Sequence, residues 1–271
     1  MSELGRKLQQ LQLTGMSEEL DHVLADAAAR NLSHAETIEW LADIELEERR
    51  RRSVERRFRL SKLQAKIGIE SFHFNHHKSR AQLKSRILRL LDLDFIAQGT
   101  NVVIIGHPGT GKTFLAKILA WRACQANYRV LFTTAMNMLN QLVASQVDHS
   151  LVRRLKAYTD PALLVCDELG YLALDQQTSN LFYQVISTRH AERRSTVITT
   201  NSPFSDWGNI LFNTTIAAAI ADRLVENSEI FLLGGPSVRC QRKAAAEPAA
   251  AGHDQAPRCD DNPEHRRSPA G

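Results

Sequence analysis

Apolar side chains recur at helical spacing through the first hundred residues. Leu4, Leu8 and Leu11 stand at i, i+4 and i+7, and Leu20, Val23, Leu24 and Ala27 repeat the stripe, so each segment presents one apolar face as an amphipathic helix does. Ser33-His-Ala-Glu36 has the spacing of a capping box and predicts a third helix through Trp40, Leu41 and Ile44. The run from Arg49 to Lys66 prolongs it, with Val54, Phe58, Leu60 and Leu63 on the buried side. A fourth helix is predicted from Ser79 to Ile96 on Leu83, Ile87, Leu90 and Leu91. No proline precedes Pro108, which suits a helical region because proline removes a hydrogen bond and clashes with the preceding turn. Residues 68–77 read as an irregular, solvated linker; its His73, His76 and His77 have no Cys or carboxylate at metal-ligand spacing.

From Asn101 the pattern changes to short apolar strands alternating with amphipathic helices, as in a parallel α/β sheet. The predicted strands are Asn101–Ile105, Arg129–Thr133, Leu163–Cys166, Thr196–Thr200 and Glu229–Leu233. The fold class expected is α/β, a doubly wound, five-stranded parallel sheet preceded by a small all-helical region. Residues 241–271 contain no Ile, Leu, Val, Met, Phe, Tyr or Trp and hold four of the eight prolines. Such a tail buries too little apolar surface to offset its ordering entropy, and disorder is expected. The expected division is therefore a helical domain over 1–70, an α/β domain over 71–240 and a tail over 241–271.

Composition narrows the function classes. With 271 residues, 43% apolar and 24% charged, the chain has the make-up of a globular protein rather than a disordered one. Its apolar runs fall short of the ~18 residues of a membrane span, and the N-terminus lacks a signal-peptide core, so the cytoplasm is expected. The four cysteines show no CxxC pairing, which argues against a disulfide scaffold or a zinc site. Net charge is only +4, but residues 49–89 carry fourteen Lys and Arg against Glu55 and Glu70. This block is a candidate nucleic-acid footprint, with Arg49, Arg50, Arg51, Arg52, Arg56 and Arg57 as contacts. A solvated helix face is the competing reading, since Glu45, Glu47 and Glu48 precede Arg49, Arg51 and Arg52 by four residues.

The chemistry concentrates after the first predicted strand. Gly106-His107-Pro108-Gly109-Thr110-Gly111-Lys112-Thr113 matches GxxxxGK[ST] between an apolar strand and a helix over Phe114–Cys124, the setting of a phosphate-binding P-loop. Backbone N–H groups would cradle a nucleotide's phosphates, Lys112 would reach the β- and γ-phosphates, and Thr113 would hold Mg²⁺. Leu163-Leu-Val-Cys-Asp167-Glu168 ends another apolar strand in two carboxylates. Asp167 fits the metal side and Glu168 a base that polarises water; the competing reading is a helix-capping pair. Asn201 follows the fourth strand, where strand ends converge on a ligand crevice, and suits orientation of that water. Arg223 suits a cation supplied to another subunit's phosphoryl group, or a local ion pair with Asp222 or Glu226. Arg239 is a weaker candidate for phosphate sensing.

Together, GHPGTGKT, Asp167-Glu168-Leu-Gly-Tyr171-Leu, Asn180-Leu-Phe182-Tyr-Gln184, Thr200-Asn201-Ser-Pro203-Phe and Asp206-Trp207-Gly208 strongly resemble the IstB-like ATPases, helpers encoded beside the transposase in two-gene bacterial insertion sequences. Leu11–Met16, Ala29–Ser33 and the Glu47–Arg59 charge block also look like that family, so the resemblance covers about residues 5–240. It implies an AAA+ core related to the helicase loader DnaC and the initiator DnaA. It also implies ATP-dependent homo-oligomers on duplex DNA, with ATP at subunit interfaces, that direct a transposase partner to its target. Sensor and finger roles would fall on Asn201 and Arg223. Two helices over 137–144 and 150–158 sit where those relatives carry an extra helical element, making Arg153, Arg154 and Lys156 DNA-contact candidates or a solvated face. His107 departs from the family's usual P-loop proline, and Pro236–Arg239 lacks an aromatic before the arginine.

The rival reading is a DnaC-like loader acting on a replicative helicase, which a stoichiometric helicase complex would reveal. A small-molecule kinase is disfavoured because Asp167-Glu168 suits water as acceptor. No LSGGQ-like segment points to a transporter ATPase, and no NKxD to a GTPase.

Overall fold

The computed structural model describes residues 2–170 and 174–238. The expected tail, Arg239 and Tyr171-Leu172 lie outside the described residues.

Three helices come first: α1 (Glu3–Gln10), α2 (Thr14–Ala29) and α3 (His34–Leu60). Ser33 and Glu36 form the expected capping box at the start of α3, each side chain bonding the other's backbone N–H. Leu20, Val23 and Leu41 form a small core with Leu8, Met16, Trp40 and Ile44 against it. Glu45, only 3% exposed, accepts from the N–H groups of Gly15 (2.8 Å) and Met16 (3.3 Å), satisfying two free donors at the start of α2. The carboxyl is held below its usual value: burial opposes ionisation, but the Arg49 hydrogen bond, these N–H groups and the Arg49 charge outweigh it.

Helix α3 stops at Leu60, short of Lys66, because Lys62 turns left-handed (φ +61°). The Ser61 carbonyl then accepts from the Phe132 N–H at 2.8 Å, and Phe58 packs edge-on against Trp121 at 5.5 Å. One helix therefore serves both the N-terminal core and the sheet. The predicted fourth helix is broken as well. It runs as α4 (Lys78–Leu90), turns through Leu93 at φ +66°, and resumes as α5 (Asp94–Ala97). That turn buries Leu93, Phe95 and Ile96 under the sheet, a gain of about 1.5–3 kcal/mol per side chain that outweighs roughly 1–2 kcal/mol for one left-handed residue.

The sheet follows: β1 (Asn101–Ile105), α6 (Lys112–Gln125), β2 (Val130–Thr134), α7 (Ala135–Val147), α8 (Leu151–Thr159), β3 (Leu163–Leu169), α9 (Gln176–Ala191), β4 (Ser195–Thr200), α10 (Trp207–Ile210), α11 (Thr214–Val225) and β5 (Ser228–Leu232). The five strands are parallel, in the order β2-β3-β4-β1-β5. Alternation sorts their side chains: Val102, Ile104, Val165 and Val197 face α6, while Leu164, Cys166 and Ile198 face α7, α9 and α11. Burial on both faces explains the near-continuous apolar strands in the sequence. Helix α6 buries Leu115, Ile118 and Leu119 to 1% or less, which places the residues at its start against the sheet's carboxyl edge.

Residues 68–77 form no solvated linker. Phe72 is buried, His76 Nε2 donates to the Pro236 carbonyl at 3.1 Å, and His77 Nδ1 accepts from Ser79 N at 3.2 Å to cap α4. The local sequence is irregular, but its aromatic residues have a core to enter. Among the described residues, no helix is long and apolar enough to cross a membrane.

Candidate nucleotide site

The P-loop, Gly106–Thr113, joins β1 to α6. Space demands glycine in the loop: a Cβ on Gly106 would collide with the Leu233 carbonyl, and one on Gly111, at φ +89°, would lie 2.6 Å from Nη2 of Arg80. Gly111 caps α6, so the first-turn N–H groups and the positive end of the helix dipole open into the loop. His107 and Pro108 stand exposed at the loop's tip. The Thr110 hydroxyl donates to the His107 carbonyl at 2.8 Å, and Val238 N donates to Gly109 O at 3.1 Å. Lys112, 7% exposed, donates from Nζ to Gly106 O at 2.6 Å and His107 O at 3.0 Å, which holds its charge inside the loop.

The carboxylates arrive from the next strands. Asp167, 3% exposed, accepts on Oδ1 from the Thr113 hydroxyl at 3.0 Å and from the Thr199 hydroxyl. Fully buried Thr199 also accepts, on the same Oγ1, from the Glu168 N–H at 2.9 Å. The β3–β4 register breaks between Cys166 and Leu169, and there Glu168 adopts φ +61°. The irregularity exposes Glu168 while its neighbours Asp167 and Leu169 stay buried. Re-aiming a side chain is what a strand bulge beside a site does. Glu168 thereby lines a cavity of about 290 Å³ with Lys112, Thr113 and Thr199. Thr113 and Asp167 supply the oxygen donors that Mg²⁺ takes alongside phosphates, so the residues present fit that ion.

The cavity's other wall comes from the segment expected to be solvated. Phe72, His73 and Arg80 line it, with Phe114 and Lys117 of α6. The Phe72 and Phe114 rings lie 20° from parallel with centroids 6.4 Å apart. Arg80 stacks over Phe72 at 4.9 Å, donates to His73 O at 3.2 Å and reaches the Thr110 carbonyl. It is 3% exposed, burial pushes its pKa down, and among the described residues its Nε finds no hydrogen-bond partner. One cation of the supposed surface block is therefore buried behind the P-loop.

Asn201 sits at the end of β4, where its Oδ1 accepts from the Ser202 hydroxyl at 3.4 Å. The cavity is lined by Thr199 instead. Arg223, on α11, donates to Ala219 O at 2.8 Å and stacks over Tyr183 at 4.9 Å. Among the described residues it makes no ion pair with Asp222 or Glu226; Glu226 faces His190 at 3.3 Å. Arg223 does not line its own chain's cavity.

The basic stretch of α3 is largely neutralised. Arg49 pairs with Glu45 at 2.8 Å, Arg50 with Glu47 at 2.8 Å, Arg51 with Glu48 at 2.7 Å, and Arg52 with Glu48 at 3.1 Å. Two of these pairs are at i,i+3, so Glu47 takes Arg50 rather than the expected Arg51. Arg56 is exposed, whereas Arg57 is half-buried and donates to Asn127 O at 2.6 Å. On α8, Arg153 and Lys156 are exposed and Arg154 is half-buried.

The IstB-like ATP binding protein family matches residues 6–246. This chain belongs to that family. It is 34% identical over 237 residues to the ATP-binding protein of insertion sequence IS5376 from Geobacillus stearothermophilus, covering 88% of this chain and 93% of that protein. It is 30% identical over 247 residues to the ATP-binding protein of insertion sequence IS21 from Pseudomonas aeruginosa, covering 91% and 92%. Among solved structures, the DnaC helicase loader superposes with TM-score 0.54 at 20% identity, over 61% of this chain and 96% of that one. AMPPCP-bound DnaA from Aquifex aeolicus superposes with TM-score 0.55 at 17% identity, over 68% and 56%. Those two show that the α/β fold is shared. In this IstB-like chain, sequence reasoning missed Thr199, Phe72 and Arg80. Thr199 left a trace, a polar residue in a strand buried on both faces; Arg80 looked like any other cation in its block.

Proposed function

We propose that this IstB-like protein is a Mg²⁺-dependent ATPase, stimulated by duplex DNA, that assembles on DNA as an ATP-bridged homo-oligomer in the cytoplasm and directs a transposase partner to its target. The observation that carries this reading is the hydrogen-bonded series Thr113–Asp167–Thr199–Glu168 at the mouth of the P-loop. Lys112 and the loop N–H groups bind and orient the phosphates. Mg²⁺, when bound at Thr113 and Asp167, offsets phosphate charge. Glu168 takes the proton of the attacking water, Asn201 helps orient that water, and Thr199 fixes both carboxylates. Arg223, held on Tyr183 away from its own cavity, serves a neighbouring subunit's nucleotide. Residues 1–70 bind DNA or partner, and 71–240 form the ATPase domain. The names of the insertion-sequence relatives support transposition over helicase loading.

The test is ATP turnover with and without duplex DNA, with particle size followed in parallel. DNA-stimulated turnover with ATP-dependent growth of a protein–DNA assembly is expected. Lys112→Ala should lose nucleotide binding, and Glu168→Gln should bind ATP, stall hydrolysis and prolong the assembly. Turnover indifferent to DNA, with no assembly and a stoichiometric helicase complex, would overturn the reading in favour of a loader.

A further inference from the structure

We infer that the cleft between the end of α3, the outermost strand β2 and α8 is the principal seat for a duplex phosphate backbone; this rests on the DNA-binding reading above. The cleft, about 370 Å³, is lined by Arg57 and Lys62 at the end of α3, Arg129 at the start of β2 and Arg154 of α8. Among the described residues, no Asp or Glu lines it. Four cations from three elements that are distant in sequence thus face one space with no acid among them.

Two of the four are held in place before any ligand arrives. Arg57 donates from Nε to Asn127 O and from Nη1 to the Ser53 hydroxyl, both at 2.6 Å. Arg154 Nη1 and the Tyr158 hydroxyl share Gln141 Oε1, at 3.5 and 2.8 Å. The Phe132 N–H to Ser61 carbonyl bond fixes α3 against β2, so the two walls keep their spacing. Such preorganisation lowers the entropy lost on binding a polyanion. Lys62 and Arg129 are exposed at the rim.

The contrast with Arg49–Arg52 decides where phosphates go. Each of those arginines already has a glutamate partner, so a phosphate there must displace a carboxylate and gains little. In the cleft a phosphate gives up its condensed counterions to solution in exchange for cations that, among the described residues, make no ion pair with a carboxylate. Helix geometry also selects among the α8 candidates: Arg154, Ala157 and Tyr158 share one face at i, i+3 and i+4 and line the cleft, whereas Arg153 and Lys156 lie about 100° round the helix from their neighbours.

The experiment is fluorescence anisotropy of a labelled duplex of arbitrary sequence with the full chain and ATP, repeated across a salt series. Each lost phosphate contact flattens the slope of log K against log salt by about 0.9. Lys62→Gln with Arg129→Gln should flatten it by about 2, and Lys62→Arg with Arg129→Lys should restore the wild-type slope. Arg50→Gln with Arg51→Gln should change it by less than half as much. Thermal unfolding of each pair verifies that the fold is kept. A wild-type slope in the Lys62/Arg129 glutamine pair, with wild-type binding intact, would overturn the cleft and leave the DNA reading standing. That same slope together with lost binding of polyglutamate would make the cleft an acidic-peptide seat instead. Failure of the wild type to bind duplex at any salt would overturn both.

Discussion

Thr199→Val removes one oxygen and nearly conserves shape, which isolates the link between the two carboxylates. The hydroxyl donates to Asp167 Oδ1 and accepts from Glu168 N at 2.9 Å. A hydrogen bond to a charged group contributes about 2 kcal/mol and a neutral one about 1 kcal/mol, so roughly 3 kcal/mol of positioning is lost. The Glu168 N–H is then left without its acceptor beside a left-handed backbone, and that strain favours a different orientation of the base. With tenfold in rate per ~1.4 kcal/mol, misplacement that takes up half to all of this energy lowers kcat between about tenfold and a hundredfold. Nucleotide affinity should change by less than about threefold, because Lys112 and the loop N–H groups are untouched. The assay is steady-state ATP turnover beside titration with a fluorescent nucleotide, and Thr199→Ser should recover most of the rate. A Thr199→Val variant that binds nucleotide and turns over ATP at half the wild-type rate or better would refute the reasoning.

Three more expectations follow from particular contacts. Gly111→Ala puts a methyl 2.6 Å from Arg80 at a positive φ, so nucleotide affinity, read by titration, should fall at least about tenfold as the loop distorts. Arg189, 1% exposed, donates to the carbonyls of Tyr158, Thr159, Pro161 and Ala162 at 2.8–3.4 Å. Arg189→Met orphans these acceptors and should cost about 3–4 kcal/mol, a fall of about 10 °C in Tm by thermal unfolding. Glu45 has a lowered folded pKa, so its stabilisation is present above its ordinary value of 4.5 and is lost as pH falls through the lowered one. Wild type should therefore lose more Tm between pH 6 and pH 4 than Glu45→Gln does; equal losses would remove Glu45 from the acid response.

Much of the architecture is legible in the chain because it rests on local rules. The P-loop string lies between an apolar strand and a helix, and β1 (Asn101–Ile105) ends where the apolar run Val102–Ile105 does. The capping box at Ser33–Glu36 is a contact between residues three apart. Asp167-Glu168 at the end of an apolar strand could be read as a carboxylate pair without knowing what faced it. The solvated-linker reading failed at Phe72 and His77, because whether an irregular segment is wet depends on a wall it meets only after folding. The single helix expected from Ser79 to Ile96 failed at Leu93 for a related reason: burial beneath the sheet outweighs helix continuity.

The chain by itself determined the strand–loop–helix phosphate cradle, the parallel α/β alternation and the carboxylate pair, since each is written in neighbours a few residues apart. Tertiary structure alone decided that Thr199 ties those carboxylates together across two strands, that Arg80 leaves the charge block to back the P-loop, and that Arg57, Lys62, Arg129 and Arg154 share one cleft. Arg129 and Arg154 lie 67 to 97 residues beyond Arg57 and Lys62. No periodicity spans such distances, so only packing of the sheet, α3 and α8 could bring those charges together.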